Sequence, residues 1–280
     1  MQHLEMQFSG CEAVSLFAQS WLPERPRASV VIAHGLGEHG GRYAHVAQAL
    51  GALGCAVHAL DHRGHGRSGG ERAFVDRWSH IVADLDHFID RVRQAAPGLP
   101  LFLLGHSMGG AIALASALGR PEAIDALILS GPAVDLEGAP PLARMAGKLL
   151  SVLAPHLGML AVDPNHVSRD PKAVADYVAD PLNFHAKVPA RTIGEMVRFA
   201  EALPPRLGTL RLPVLALHGG ADKLAGPAGS RMVIARASSA DKTLQVYDGL
   251  FHDIFNELPP DRARVITDLC AWVSARLPTR

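Results

Sequence analysis

The chain has 280 residues, 48% of them apolar, so a sizeable core can be buried without staples. Lys plus Arg and Asp plus Glu number 27 each; no net field attracts nucleic acid, and no nucleic-acid partner is expected. The three cysteines, Cys11, Cys55 and Cys270, are far apart and show no C-x-x-C spacing, which reads as reduced thiols in a cytoplasmic setting. Residues 1–10 have no basic start followed by an apolar stretch, so no secretory signal is expected.

In chain order, residues 29–33 are β-branched and apolar, 43–53 have helical spacing and 55–60 are apolar again. Residues 78–94 place Ile81, Leu85, Phe88, Ile89 and Val92 on one helical face, and an apolar strand at 101–104 follows Pro97 and Pro100. Continuous apolar strands alternating with helices predict an α/β fold with a mostly parallel sheet covered on both faces. After a strand at 126–130 the texture changes to Pro, Ala and Met, and residues 133–205 read as an inserted helical cap. Within it, residues 142–162 approach the length of a membrane span, but Arg144, Lys148, Pro155 and His156 interrupt them. A covering helix, or one lying on a lipid surface, is expected there instead. The βα pattern resumes with a strand at 214–217, a helix at 228–237, a strand at 243–247 and a helix at 261–277. Residues 1–132 and 206–280 therefore form one core that the cap interrupts.

Chemistry enters at Gly105-His106-Ser107-Met108-Gly109-Gly110, which lies between the strand at 101–104 and the helix-forming stretch 111–118. A G-x-S-x-G in that context is a nucleophile elbow, the mark of the α/β-hydrolase fold, with Ser107 exposed at a strand end. A serine hydroxyl needs a histidine to take its proton and a carboxylate to orient that histidine. The fold supplies them in the order Ser, acid, His, and Asp222 and His252 each follow a later strand. His218 reads as a core histidine, and Asp248 and Asp253 stand too close to His252 in sequence to orient it easily. Fixed donors for the developing oxyanion are expected at the amide of Met108 and, from the loop His34-Gly35-Leu36-Gly37, at that of Leu36. The segment 61–68 (DHRGHGRS) is expected to brace loops through hydrogen bonds and ion pairs. His58, His62 and His65 lack the spacing of a metal motif, and neither metal nor cofactor is expected.

With these motifs, and with Gly41-Arg42-Tyr43, Tyr247-Asp248-Gly249, Asn256-Glu257, Ser168-Arg169-Asp170 and Asp180-Pro181-Leu182, the chain resembles the monoacylglycerol lipases that bacteria share with animals. The resemblance covers nearly the full length. It implies the triad Ser107, Asp222 and His252, with Leu36 and Met108 as oxyanion donors. It also implies an apolar cap tunnel for one acyl chain, and Tyr177, Arg42 and Glu38 as contacts for glycerol; Arg42 and Glu38 are equally able simply to pair with each other. The expected tunnel lining is Leu142, Met145, Ala146, Leu149, Leu150, Leu153, Leu157, Met159 and Leu160. Where the animal enzymes carry reactive cysteines, this chain has Ala225 after the Asp222 loop and no cysteine in the cap, so thiol-directed inhibition is not implied.

The expected substrate is a monoacylglycerol or similar single-chain ester, cleaved through an acyl-enzyme. A lysophospholipase, general carboxylesterase or thioesterase could use the same triad, and a binding protein would more often lack one of its members. Peripheral contact of the cap with a membrane is carried as a hypothesis, and the sequence does not indicate an oligomeric state.

Overall fold

The computed structural model describes residues 1–136 and 140–278; residues 137–139 of the expected cap and 279–280 of the expected core lie outside the described residues. The chain opens with an antiparallel hairpin, β1 (Gln2–Ser9) and β2 (Ser15–Leu22). There follow β3 (Ala28–Ala33), α1 (Ala44–Ala52), β4 (Cys55–Leu60), α2 (Trp78–Ala95), β5 (Leu101–His106), α3 (Met108–Gly119) and β6 (Ala126–Ser130). The chain then leaves the sheet for α4 (Pro141–Leu153), β7 (Gly158–Leu160), α5 (Pro171–Ala179), β8 (Val188–Pro189) and α6 (Ala190–Ala202). It returns through β9 (Val214–Gly219), α7 (Pro227–Arg236), β10 (Lys242–Tyr247) and α8 (Pro259–Ser274). The sheet order is β1-β2-β4-β3-β5-β6-β9-β10, parallel from β4 to β10.

Alternation along the strands accounts for burial on both faces. Val31, Ala33, Leu101 and Leu103 point into one apolar cluster, which includes side chains of α2, α3 and α7. Their neighbours Val30, Ile32, Phe102 and Leu104 point into a second, closed by α1 and α8. Every residue of β3, β4, β5 and β6 is buried. β3 is followed in sequence by its neighbour on one side, β4, and then by its neighbour on the other, β5. The loops after β3 and β5 therefore diverge, and such a switch point is where open α/β sheets leave a crevice at the strands' carboxyl ends.

The segment 61–68 braces loops as expected. Asp61 accepts from the amides of Gly40 and Arg67, and Arg63 forks onto the fully buried Asp84. The hairpin β1–β2 was not anticipated, nor was the two-stranded pair β7–β8.

Most of the apolar stretch at 142–162 does not line a tunnel, which corrects the sequence expectation; only its end, residues 160–162, lines a cavity. α4 turns Leu142, Met145, Leu149 and Leu153 to solvent, and beyond it Leu157 is half exposed. Its inward stripe is small and polar: Gly147 and Ser151 are buried, Lys148 and Arg144 pair with Glu201 of α6, and Arg198 donates to Ser151 Oγ. Gly194 of α6 makes this approach possible, since a Cβ there would overlap Ser151. Ion pairing and close helix contact thus fix the rotation of α4 and leave its apolar side outward. Among the described residues no helix is long and apolar enough to cross a membrane.

Candidate active site

β5 delivers Ser107 into a turn that only a tightly packed local sequence can close. Ser107 has φ +53° and ψ −120°, a conformation that costs a non-glycine residue about 1–3 kcal/mol and is held by its surroundings. Gly109 makes it affordable sterically, because a Cβ there would overlap the backbone of Ala33 at the end of β3. The Ser107 amide donates to Ser130 O of β6, and the Ser107 carbonyl accepts from Gly110, Ala111 and Ala133. Met108 follows as the first residue of α3, whose opening amides have no acceptor within the helix.

The loops after β9 and β10 bring Asp222 and His252 together across 30 residues. His252 Nδ1 lies 2.6 Å from Asp222 Oδ2. Asp222 Oδ1 accepts from the amides of Leu224 and Ala225. His218 adds a contact, its Nε2 3.2 Å from Asp222 Oδ2 while its Nδ1 meets Ser230 Oγ at 2.7 Å. Burial alone would raise the Asp222 carboxyl, but the His252 charge and these donors outweigh it and hold the group well below the carboxylate range. His252 is buried, which disfavours its charged form, yet the Asp222 charge and hydrogen bond raise it above the ordinary histidine value. With Nδ1 committed to Asp222, Nε2 is the nitrogen left to serve Ser107. Neither Asp248 nor Asp253 takes that role.

Ser107 and His252 line one cavity together with Gly35, Leu36, Glu38, Tyr177 and Asp253. Leu36 is placed by Glu38, whose Oε1 accepts from the Gly35 amide at 2.5 Å and from Tyr43 Oη at 2.7 Å. Glu38 Oε2 receives Arg42 Nε at 2.9 Å, so these two pair, as one of the two sequence readings had it. Arg42 also reaches Asp253 at 2.8 Å and lies over the Tyr177 ring at 4.9 Å. Burial would lower Arg42, but the Asp253 and Glu38 charges overcome this and raise it, so the guanidinium stays charged. The rest of the lining is largely apolar and includes Leu160, Val162, Ile193, Met196 and Leu224. Of the stretch expected as lining, Leu160 alone belongs to it.

The motifs shared within residues 133–205 fasten that segment to the core. Ser168 Oγ donates to Asn256 O, Arg169 pairs with Glu257 and Asp261, and Asp180 meets His39 Nε2 at 2.9 Å. Sequence reasoning missed Asp253 and the His218 contact. His58, His62 and His65 do not gather on one point: His58 bonds Ser20, while His62 and His65 pack around His34 in the interior. Among the described residues the grouping able to hold a cation is Glu12, Asp76 and His80, none of which lines the cavity.

The sequence pattern of the hydrolase family described as serine aminopeptidase S33 matches residues 24–259. The monoacylglycerol lipase of Mycolicibacterium smegmatis is 42% identical over 275 residues, 98% of each chain. Human monoglyceride lipase is 37% identical over 271 residues, 94% of this chain and 88% of the human one. The crystal structure of a soluble variant of Saccharomyces cerevisiae monoglyceride lipase in complex with a substrate analog superposes with a TM-score of 0.88 at 25% identity, covering 98% of this chain and 96% of the other.

Proposed function

Because the chain belongs to the serine aminopeptidase S33 family of hydrolases, and within it to the monoacylglycerol lipases, we propose that Ser107, His252 and Asp222 perform the ester hydrolysis those relatives are named for. The chain is an α/β-hydrolase, a carboxylic ester hydrolase that releases a fatty acid and glycerol from a monoacylglycerol. Ser107 Oγ attacks the ester carbonyl as His252 Nε2 takes its proton, and Asp222 holds the imidazole in the tautomer that can do so. The oxyanion is received by the amides of Leu36 and Met108. His252 then gives the proton to the departing glycerol oxygen, and water drawn in by His252 cleaves the acyl-enzyme.

The observation that carries this reading is the division of the cavity around Ser107. An apolar wall from Leu160 to Leu224 suits an acyl chain, and a polar wall with Glu38, Tyr177 and Asp253 suits an alcohol bearing free hydroxyls. Residues 133–205 act as the cap, and the outward apolar side of α4 continues to Leu160 at the cavity, which supports delivery of lipid from a surface the cap touches. The three unpaired thiols fit a cytoplasmic setting with peripheral membrane contact.

A panel of 1- and 2-monoacylglycerols of varied chain length, run beside lysophosphatidylcholine, a butyrate ester and an acyl thioester, tests the assignment. The monoacylglycerols are expected to give the highest kcat/KM. Negligible turnover of all of them would sink it.

A further inference from the structure

Away from the Ser107 cavity, a histidine that no sequence motif marks has two carboxylates beside it. His80 stands in the first turn of α2, Asp76 lies just before that helix, and Glu12 sits at the tip of the hairpin between β1 and β2. One ligand atom from each lies within 4.8 Å of the other two. His80 Nδ1 is 3.0 Å from Asp76 Oδ2 and 3.5 Å from Glu12 Oε2.

A simple ion pair does not account for this arrangement. Nδ1 is buried and makes no hydrogen bond to either oxygen, close as both are, so the ring is not turned to donate to one of them. Buried polar atoms are ordinarily matched, and the unmatched nitrogen, more than the carboxylates, marks the place. Ligand atoms about 2.0–2.1 Å from one zinc ion at tetrahedral angles lie about 3.3 Å from each other. The two separations from Nδ1 fall on either side of that value.

The carboxylates are also held ready. Asp76 Oδ1 is 3.7 Å from Arg63 Nη1, which leaves Oδ2 on the His80 side, and Arg63 itself forks onto Asp84. At the hairpin tip, the Cys11 amide donates to Asp84 Oδ1 and the Cys11 carbonyl accepts from Arg63 Nη2, so the backbone that presents Glu12 is anchored on both sides. The Glu12 side chain is 63% exposed, which opens the cluster to solvent. One imidazole nitrogen with two carboxylates suits a borderline cation such as zinc, whereas magnesium and calcium take oxygen ligands.

We propose that Glu12, Asp76 and His80 bind one zinc ion, through His80 Nδ1 and an oxygen of each carboxylate, with water completing the coordination. The ion clips the hairpin tip to the start of α2. None of the three residues lines the Ser107 cavity, so the site is separate from the ester chemistry and does not rest on it.

Calorimetric titration of the chelator-stripped wild type with zinc chloride tests the site. Uptake of one ion with a micromolar dissociation constant is expected. Glu12→Gln and His80→Gln are each expected to weaken it at least about tenfold, since even losing a group behind a ligand costs about that much. Zinc at about a hundredfold above the dissociation constant should raise the wild-type Tm by roughly 5 °C, and magnesium chloride at the same concentration should not. Absence of zinc uptake overturns the proposal, as does uptake of equal affinity in Glu12→Gln and His80→Gln. An equal Tm rise with magnesium overturns the choice of metal and with it the role of Nδ1. Should His80→Gln not fold, the exposed Glu12→Gln decides alone: affinity equal to the wild type overturns the site.

Discussion

The sheet core and helix α4 of the inserted segment 133–205 place their apolar residues by opposite rules. In the core, strand residues such as Val31, Leu103 and Ile128 are wholly buried, and the loops that carry Leu36, Ser107 and Asp222 leave strands held by a neighbour on each side, while His252 follows the edge strand β10. In the insertion, α4 buries glycine and serine, sets half-exposed ion pairs against α6 and turns leucine outward. The core can thus hold Ser107, Asp222 and His252 in geometry that depends little on what approaches. The insertion presents a surface whose worth depends on meeting another apolar phase. Substitutions in the core are accordingly expected to remove activity on every ester alike, and those in the insertion to separate one substrate or condition from another.

The largest effect is expected at the nucleophile. Ser107→Ala should lower kcat by roughly five to six orders of magnitude on every substrate in the panel and abolish labelling by a fluorophosphonate probe. Persistent labelling at another serine would falsify the assignment. Asp222→Asn should cost roughly four orders through loss of the productive tautomer, again without regard to substrate.

The pH profile sharpens the same point. His252 works as a base only when neutral, and the Asp222 charge favours its protonated form. Activity should therefore fall as pH drops through a value above 6.5, the ordinary histidine figure. In Asp222→Asn the limb should move to lower pH, because the charge that raised it has gone. A limb that stays in place would mean another group controls it.

An intermediate effect is expected at the seam between the two regions. Thr192, buried at the start of α6, accepts from the Val75 amide and donates to Ala73 O. Thr192→Val leaves both core groups unpaired and should cost about 2 kcal/mol or more, seen as a fall in Tm of roughly 5 °C. If instead Tm holds and activity on long-chain substrates alone declines, the seam guides substrate and contributes little stability. The smallest effect is expected at the crown: Leu149→Asp, at a side chain 58% exposed, should change Tm by less than about 1 °C. It should weaken co-sedimentation with liposomes and slow hydrolysis of emulsified monoacylglycerol severalfold, relative to a water-soluble butyrate ester. Failure of the wild type to bind liposomes removes the docking reading.

Much of this was legible in the order of residues. Apolar runs in the core strands are long enough to be read directly; the elbow at Ser107 and the proposed acid Asp222 each follow such a run, and the proposed base His252 follows the mixed strand β10. The hairpin β1–β2 escaped because its first strand lies at the sheet edge with most side chains exposed, although Leu4, Met6 and Phe8 alternate as a strand should. The orientation of α4 was not legible because composition fixes an amphipathic helix but not which side its neighbour claims. Only Glu201 and Gly194, some 50 residues later, settle it. His218 was read as a packed histidine, and it is buried, but its contact with Asp222 depends on how the loop after β9 curls back. Asp253 was weighed only as a partner for His252, since its partner Arg42 lies 211 positions away.

The positive φ of Ser107 means that the protein is less stable than its own architecture allows. Glycine would occupy that turn without the conformational cost, so the elbow is a place where folding alone would choose a different residue. The deep burial of β3, β5 and β6 then has a second use beyond forming a core. It supplies the surplus cohesion that lets a hydroxyl be kept in a posture the isolated chain would abandon.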